Sequence, residues 1–204
     1  MDLSASSIQR KRKWHITVNA KVTLAFTTLC VLATVANAVT SGAVNRLVFT
    51  TYRSSLTDPF TYLRLFTHVL GHADFEHLMN NMTIILLLGP MLEEKYGPST
   101  ICGVILLSAL CTALVNALLF PNIALCGASG VCFSFILLSS FTSFTEGEIP
   151  ITFILVAILF LGQQIINGIF VQDNISYLSH IIGGIVGAGV GFALSPKKQT
   201  SIFS

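Results

Sequence analysis

The chain has 204 residues, of which 53% are hydrophobic and only 10% charged, with a net charge of +2. Soluble domains carry about 25% charged residues, so this composition excludes an ordinary soluble globular protein and points to one compact integral membrane bundle. The small net charge gives no reason to expect nucleic acid as a partner. The five cysteines include no CxxC pair and are odd in number, so they read as free, small apolar residues rather than a disulfide framework.

In chain order, a basic stretch at Arg10–Lys13 precedes the first long uncharged run, Val22–Val44. That run is of span length and no small-residue cleavage site follows it, so the amino end reads as a retained cytoplasmic segment over 1–21. A long stretch over 45–76 comes next, with Phe49, Tyr52, Phe60, Tyr62, Leu63, Leu65 and Phe66 around a turn at Asp58-Pro59. Its aromatics suit amphipathic segments lying at headgroup level. A shorter run, Leu78–Leu92, extends backwards through His77. From Tyr96 to Thr145 the chain has 50 residues without a charge, too many for one crossing. This is read as two spans, Ile101–Phe120 and Gly127–Thr145, broken at Pro121-Asn122. Ile149–Val171 and Ile175–Leu194 complete six. Residues 22–195 are then one membrane domain, and 196–204 a cytoplasmic tail.

Six spans place both termini on one side. Arg10, Lys11, Arg12, Lys13, Lys21, Lys95, Lys197 and Lys198 then fall together, and the positive-inside rule assigns them to the cytoplasm. The stretches 45–76, 121–126 and 172–174 face outward. Ser129 and His180 each lie near the outer start of their spans, at about the same depth. An ionisable side chain inside a span is by default a functional-site hypothesis.

The residues around these two supply further chemistry. Ser129 is flanked by Gly127 and Gly130, with Cys126 as a rival nucleophile. From His180, Gly184, Gly187 and Gly191 follow at helical spacing on one face, while Gly183, Gly187 and Gly191 form two successive GxxxG pairs. Small residues let helix backbones approach closely, which would bring His180 towards Ser129. His180 could then act as base for Ser129, a dyad with no acid placed as a third member. His77 and Asn81 are four apart and share a helix face. With the Ser129 backbone N–H they offer three donors for an oxyanion. His72 reads as a neighbour that shapes the site or holds water. Metal binding by His68, His72 and His77 is disfavoured because no carboxylate completes a set, and no cofactor is expected. Gln163, Gln164 and Asn167 are membrane-embedded amides that either bridge helices or line a substrate gate.

Taken together, these motifs resemble the rhomboid family of intramembrane serine proteases over about residues 61–191. The family's Gly-x-Ser-x motif is similar to Gly127-Ala128-Ser129-Gly130, its His-x4-His-x3-Asn pattern to His72, His77 and Asn81, and its His-x2-Gly-x3-Gly pattern to His180, Gly183 and Gly187. Arg64, Thr67, Glu93 and Gly97 also fit. The chain departs from the family at Leu63, where an aromatic often precedes the loop arginine, and at Phe133, where a tyrosine commonly stacks on the histidine.

The resemblance implies an all-α, bacterial-type six-helix bundle in the cell membrane, with a long outward-facing loop between the first two helices. It also implies a Ser129–His180 dyad, oxyanion donors from His77, Asn81 and Ser129, and hydrolysis of transmembrane protein substrates within the lipid bilayer. Two other readings of the residues are a silent protein that binds client transmembrane helices and a small transporter relaying protons through its histidines.

Overall fold

The computed structural model describes residues 17–120, 122–143, 149–170 and 177–195. The basic stretch at Arg10–Lys13, the proposed break at Pro121, the outward segment 172–174 and the tail 196–204 lie outside the described residues.

The described residues are helical: α1 (Lys21–Val39), α2 (Pro59–Thr67), α3 (Phe75–Tyr96), α4 (Pro98–Leu119), α5 (Ser129–Ser139), α6 (Ile151–Phe170) and α7 (Tyr177–Leu194). A single π-helical turn at Asn45–Phe49 precedes α2, and a 3-10 turn at Ser140–Ser143 prolongs α5. Four of the helices, α1, α4, α6 and α7, are long and apolar enough to cross a membrane. The other two expected spans fall on α3, which has 22 residues but carries Glu76, Glu93, Glu94 and Lys95, and on α5, which has only 11.

Local chemistry sets the boundaries. Asp74 caps α3, its carboxylate accepting the His77 N–H at 2.7 Å. Asp58 caps α2 in the same way through the Phe60 N–H at 3.0 Å, with Pro59 in the first turn. Gly97, at φ 84°, ends α3, and Pro98 starts α4 immediately after it. No side-chain cap exists on α1 itself. Instead, the buried Glu93 reaches across from α3 and accepts from the Val22 N–H (3.0 Å), the Thr23 N–H (2.9 Å) and the Thr23 hydroxyl (2.9 Å). A carboxylate at a helix N-terminus satisfies orphan donors and complements the dipole.

The centre of the molecule is α5, where every residue from Gly130 to Leu138 is buried. Its closest neighbour is α7. A Cβ at Gly183 would collide with the Gly130 backbone, and one at Gly187 with the Ser134 backbone. The equal four-residue steps in the same direction make the two helices parallel, so Ser129 and His180 enter from the same end. Ser134 ties the seam shut. Its hydroxyl donates to the Gly183 carbonyl at 2.6 Å, and Ser108 of α4 lies 2.6 Å from its oxygen. The other two glycines of the stripe face elsewhere, Gly184 against Leu161 of α6 and Gly191 against the Phe141 ring.

Adding one methyl to the seam therefore separates α5 from α7. Gly187→Ala should destabilise the protein by about 1–3 kcal/mol, the usual cost of overpacking. Gly189→Ala, where a Cβ meets nothing within 4 Å, should be neutral or stabilising. Thermal unfolding of both variants in detergent tests the contrast.

Candidate active site

The segment before α5 is held in place by the region between α1 and α3. Thr51 and Leu125 form an isolated antiparallel bridge, with N–H···O distances of 2.9 and 2.8 Å. Two residues later the Gly127 N–H donates to the His68 carbonyl at 2.9 Å. Gly127 has φ 126°, a conformation that side chains rarely adopt. A Cβ there would also lie 2.6 Å from Cε1 and 2.8 Å from Nε2 of His77. The glycine is therefore needed twice, for the turn and for the imidazole pressed against it.

That region is itself built round Arg64, which is 2% exposed. Its guanidinium donates to the Leu47 carbonyl (3.1 Å), the Ser54 hydroxyl (2.9 Å) and the Asp58 carboxylate (3.0 Å), and lies 4.5 Å from the Tyr52 ring centroid. Thr67 adds a short hydroxyl bond to the Val48 carbonyl. Asn45 donates to the His72 carbonyl at 2.8 Å. Far from being a linker, the stretch from Asn45 to Asp74 is a folded cap that fixes the start of α5. The sequence marks Arg64 and Thr67 but not the contacts that make them central.

Ser129 is the first residue of α5 and is partly exposed. The N-cap, Ala128, offers no side-chain bond, so the first N–H groups of the helix are left to other acceptors. From α3, His77 and Asn81 face this end. Asn81 is buried, and its Nδ2 has no partner among the described residues. The Cys132 thiol lies 3.5 Å from both the backbone oxygen and Oδ1 of Asn81, which turns the Nδ2 end of the amide away from it. His72 packs edge-on to His77, with ring centroids 5.0 Å apart. Its Nε2 is likewise buried and unpartnered among the described residues.

His180 lies in the first turn of α7 and stacks on Phe133, with centroids 4.5 Å apart and planes 5° from parallel. Phe133 is four residues after Ser129, hence on the same face of α5 one turn further along. The ring contact expected at this position is thus made without a hydroxyl. Phe160 of α6 packs edge-on against Phe133 at 6.2 Å. On its other side His180 Nδ1 lies 2.6 Å from Oε1 of Gln164. Sequence reasoning treats Gln164 as helix glue or gate lining, because sixteen residues of separation carry no periodic signal linking it to His180. Among the described residues, no group of three His, Cys, Asp or Glu side chains is placed to hold a metal ion.

Fold and site together define a helical membrane protein in which a partly exposed serine opens a helix buried from Gly130 to Leu138. Residues 59–197 match the Rhomboid domain, and the chain belongs to the rhomboid family. It is 38% identical over 103 residues to Rhomboid-type serine protease 2 of Kluyveromyces lactis, covering 46% of this chain and 38% of that protein. It is 28% identical over 160 residues to Rhomboid-related protein 2 of Mus musculus, covering 68% of this chain and 53% of that one. A third relative, Rhomboid-related protein 1 of Caenorhabditis elegans, is 28% identical over 140 residues, with 64% and 39% covered. The chain thus spans about half or less of the length of these relatives.

Two histidines of the cap are held neutral by their surroundings. Burial pushes both His68 and His72 down from 6.5 to about 4, and the neighbouring His77 adds to the effect at His72. Below pH 6.5 the unfolded chain binds protons that these two rings refuse in the folded state. Their contribution to stability is therefore complete above about pH 6.5 and is lost as pH falls towards 4. The melting temperature in detergent should drop across that window, and His72→Asn should make the drop shallower.

Proposed function

We propose that the chain is an intramembrane serine endopeptidase that hydrolyses peptide bonds in or near the transmembrane helices of membrane-protein substrates. The observation that carries this reading is the stacking of His180 on Phe133, one turn along the same face of α5 as Ser129. In the proposed mechanism His180 takes the Ser129 proton as Oγ attacks the scissile carbonyl. The tetrahedral oxygen is stabilised by the Ser129 backbone N–H, the His77 ring and the Asn81 amide. His180 then returns the proton to the leaving amine, and water attacks the acyl-enzyme to release the second product. The Asn81 Nδ2, buried and unpartnered among the described residues, supports its part, since an uncommitted donor in a water-poor site awaits an acceptor. Gly127 lets the His77 ring, and Gly130 lets Thr112 and the Ser179 carbonyl, pack close beside the nucleophile, and His72 supports the His77 ring.

The proposal includes six crossings, with α3 and α5 joining the four helices of membrane length, and both termini in the cytoplasm of a cell whose plasma membrane holds the protein. Ser129 and His180 then open towards the outer surface, where water can reach them. Substrate helices with glycine or other weak helix formers near the cleaved bond unwind more readily and should be preferred.

Reconstituted in liposomes with a labelled transmembrane substrate, the protein should cleave it and Ser129→Ala should not. A fluorophosphonate should attach to Ser129, and His180→Ala should prevent attachment. His77→Ala or Asn81→Ala should each lower kcat by about 10²-fold or more with smaller effects on KM. A wild type that binds the substrate helix and leaves it intact would favour the client-binding reading instead. Cleavage by Ser129→Ala at the wild-type rate would remove the serine from the mechanism.

A further inference from the structure

Along α6 the side chains are mostly turned outward. Of its 20 residues, Ile151–Phe170, the one that is buried is Gln164. A helix that is apolar throughout normally buries some of its aliphatic residues, so a glutamine as the sole buried side chain calls for a partner that repays its desolvation. The partner is His180, with Oε1 2.6 Å from Nδ1. An amide oxygen only accepts, so the hydrogen between these atoms belongs to the imidazole. A neutral imidazole carries one such proton, and placing it on Nδ1 leaves Nε2 as the bare nitrogen.

We infer that Gln164 is a positioning residue for His180: it fixes the tautomer in which Nε2 is the proton acceptor, and with Phe133 it fixes the plane of the ring. The role is the one an acid fills in a serine–histidine–acid triad, performed here by a neutral amide. A carboxylate would place a net charge in a membrane-embedded, low-dielectric pocket at considerable cost, whereas an amide orients the ring without one. The arrangement also divides the work between helices. Glycine contacts with α5 hold the α7 backbone, Phe133 of α5 supports one face of the ring, and α6 reads the ring's far edge. The packing of α6 therefore bears on the protonation of the base. This catalytic consequence rests on the protease reading; the assignment of the proton does not.

The test combines a spectroscopic and a kinetic readout on the full chain in nanodiscs. With 15N-labelled histidine at pH 8, His180 should show a protonated, pyrrole-type Nδ1 and an unprotonated, pyridine-type Nε2. Gln164→Met keeps the length of the side chain and removes the acceptor; it should lose this bias. The same variant should lower kcat for peptide cleavage, and the rate of fluorophosphonate attachment to Ser129, by about tenfold or more while KM changes less than about twofold. At pH 8 the ionised carboxylate of Gln164→Glu accepts from Nδ1, at the cost of a charge, and should restore more of the rate than methionine does. A pyridine-type Nδ1 in the wild type, or equal activity in the methionine and glutamate variants, would overturn the inference. The expected tautomer together with an inert Ser129 would uphold the proton assignment and count against the protease reading.

Discussion

Two helices of this protein meet backbone to backbone, and the site follows from that contact. At Gly183 and Gly187 there is no room for a single carbon between α7 and the backbone of α5. In a bilayer, where lipid is as apolar as leucine, such packing and the hydrogen bonds it permits take the place of the hydrophobic effect in holding helices together. Ser134 illustrates the second part: its hydroxyl reaches the Gly183 carbonyl because the glycine seam brings the two within 2.6 Å. Once α7 is locked in parallel register with α5, the first turns of both helices lie side by side. A Cβ at Gly130 would lie 3.3 Å from the Ser179 carbonyl, so the residues next to the serine and the histidine approach each other as a consequence of packing further down.

A second level of organisation comes from the cap between α1 and α3. The charge of Arg64 is buried but spread over a carboxylate, a hydroxyl and a carbonyl, with an aromatic face beside it. This satisfies the two terminal nitrogens of a guanidinium that would otherwise be costly to enclose, while Nε has no hydrogen-bond partner among the described residues. The Thr51–Leu125 bridge and the Gly127–His68 bond then transmit the cap's position to the start of α5. Removing Arg64 would act on Ser129 without touching it.

Much of this was legible in the residues. Charge and apolar runs located α3, α4, α6 and α7 to within a few positions, because hydropathy responds directly to the solvent a segment must face, but the runs read for α1 and α5 extend past those helices. The glycine spacing from Gly183 to Gly191 announced a close-packed face, and the four-residue step from His77 to Asn81 put both on one side of α3. The details of the stripe were less visible: Gly184 sits on the same line as Gly187, yet meets the Leu161 side chain of α6 most closely and no backbone of α5. Other features could not have been read at all. Glu93 caps a helix 70 residues earlier in the chain, and Gln164 bonds a histidine on a different helix. Such pairings are decided by how rigid helices dock in three dimensions, and leave no period or motif behind them.

The shortness of α5 has a consequence for how the protein meets its solvent. Eleven residues rise about 16 Å, roughly half the thickness of the hydrocarbon layer. Walled in by protein from Gly130 to Leu138, α5 presents little surface for lipid tails to match. When a bilayer thickens or thins, the outer helices must tilt or draw the acyl chains to their own length. The helix that bears Ser129 is insulated from that adjustment, so the depth of the serine is gauged against its neighbouring helices and not against the membrane.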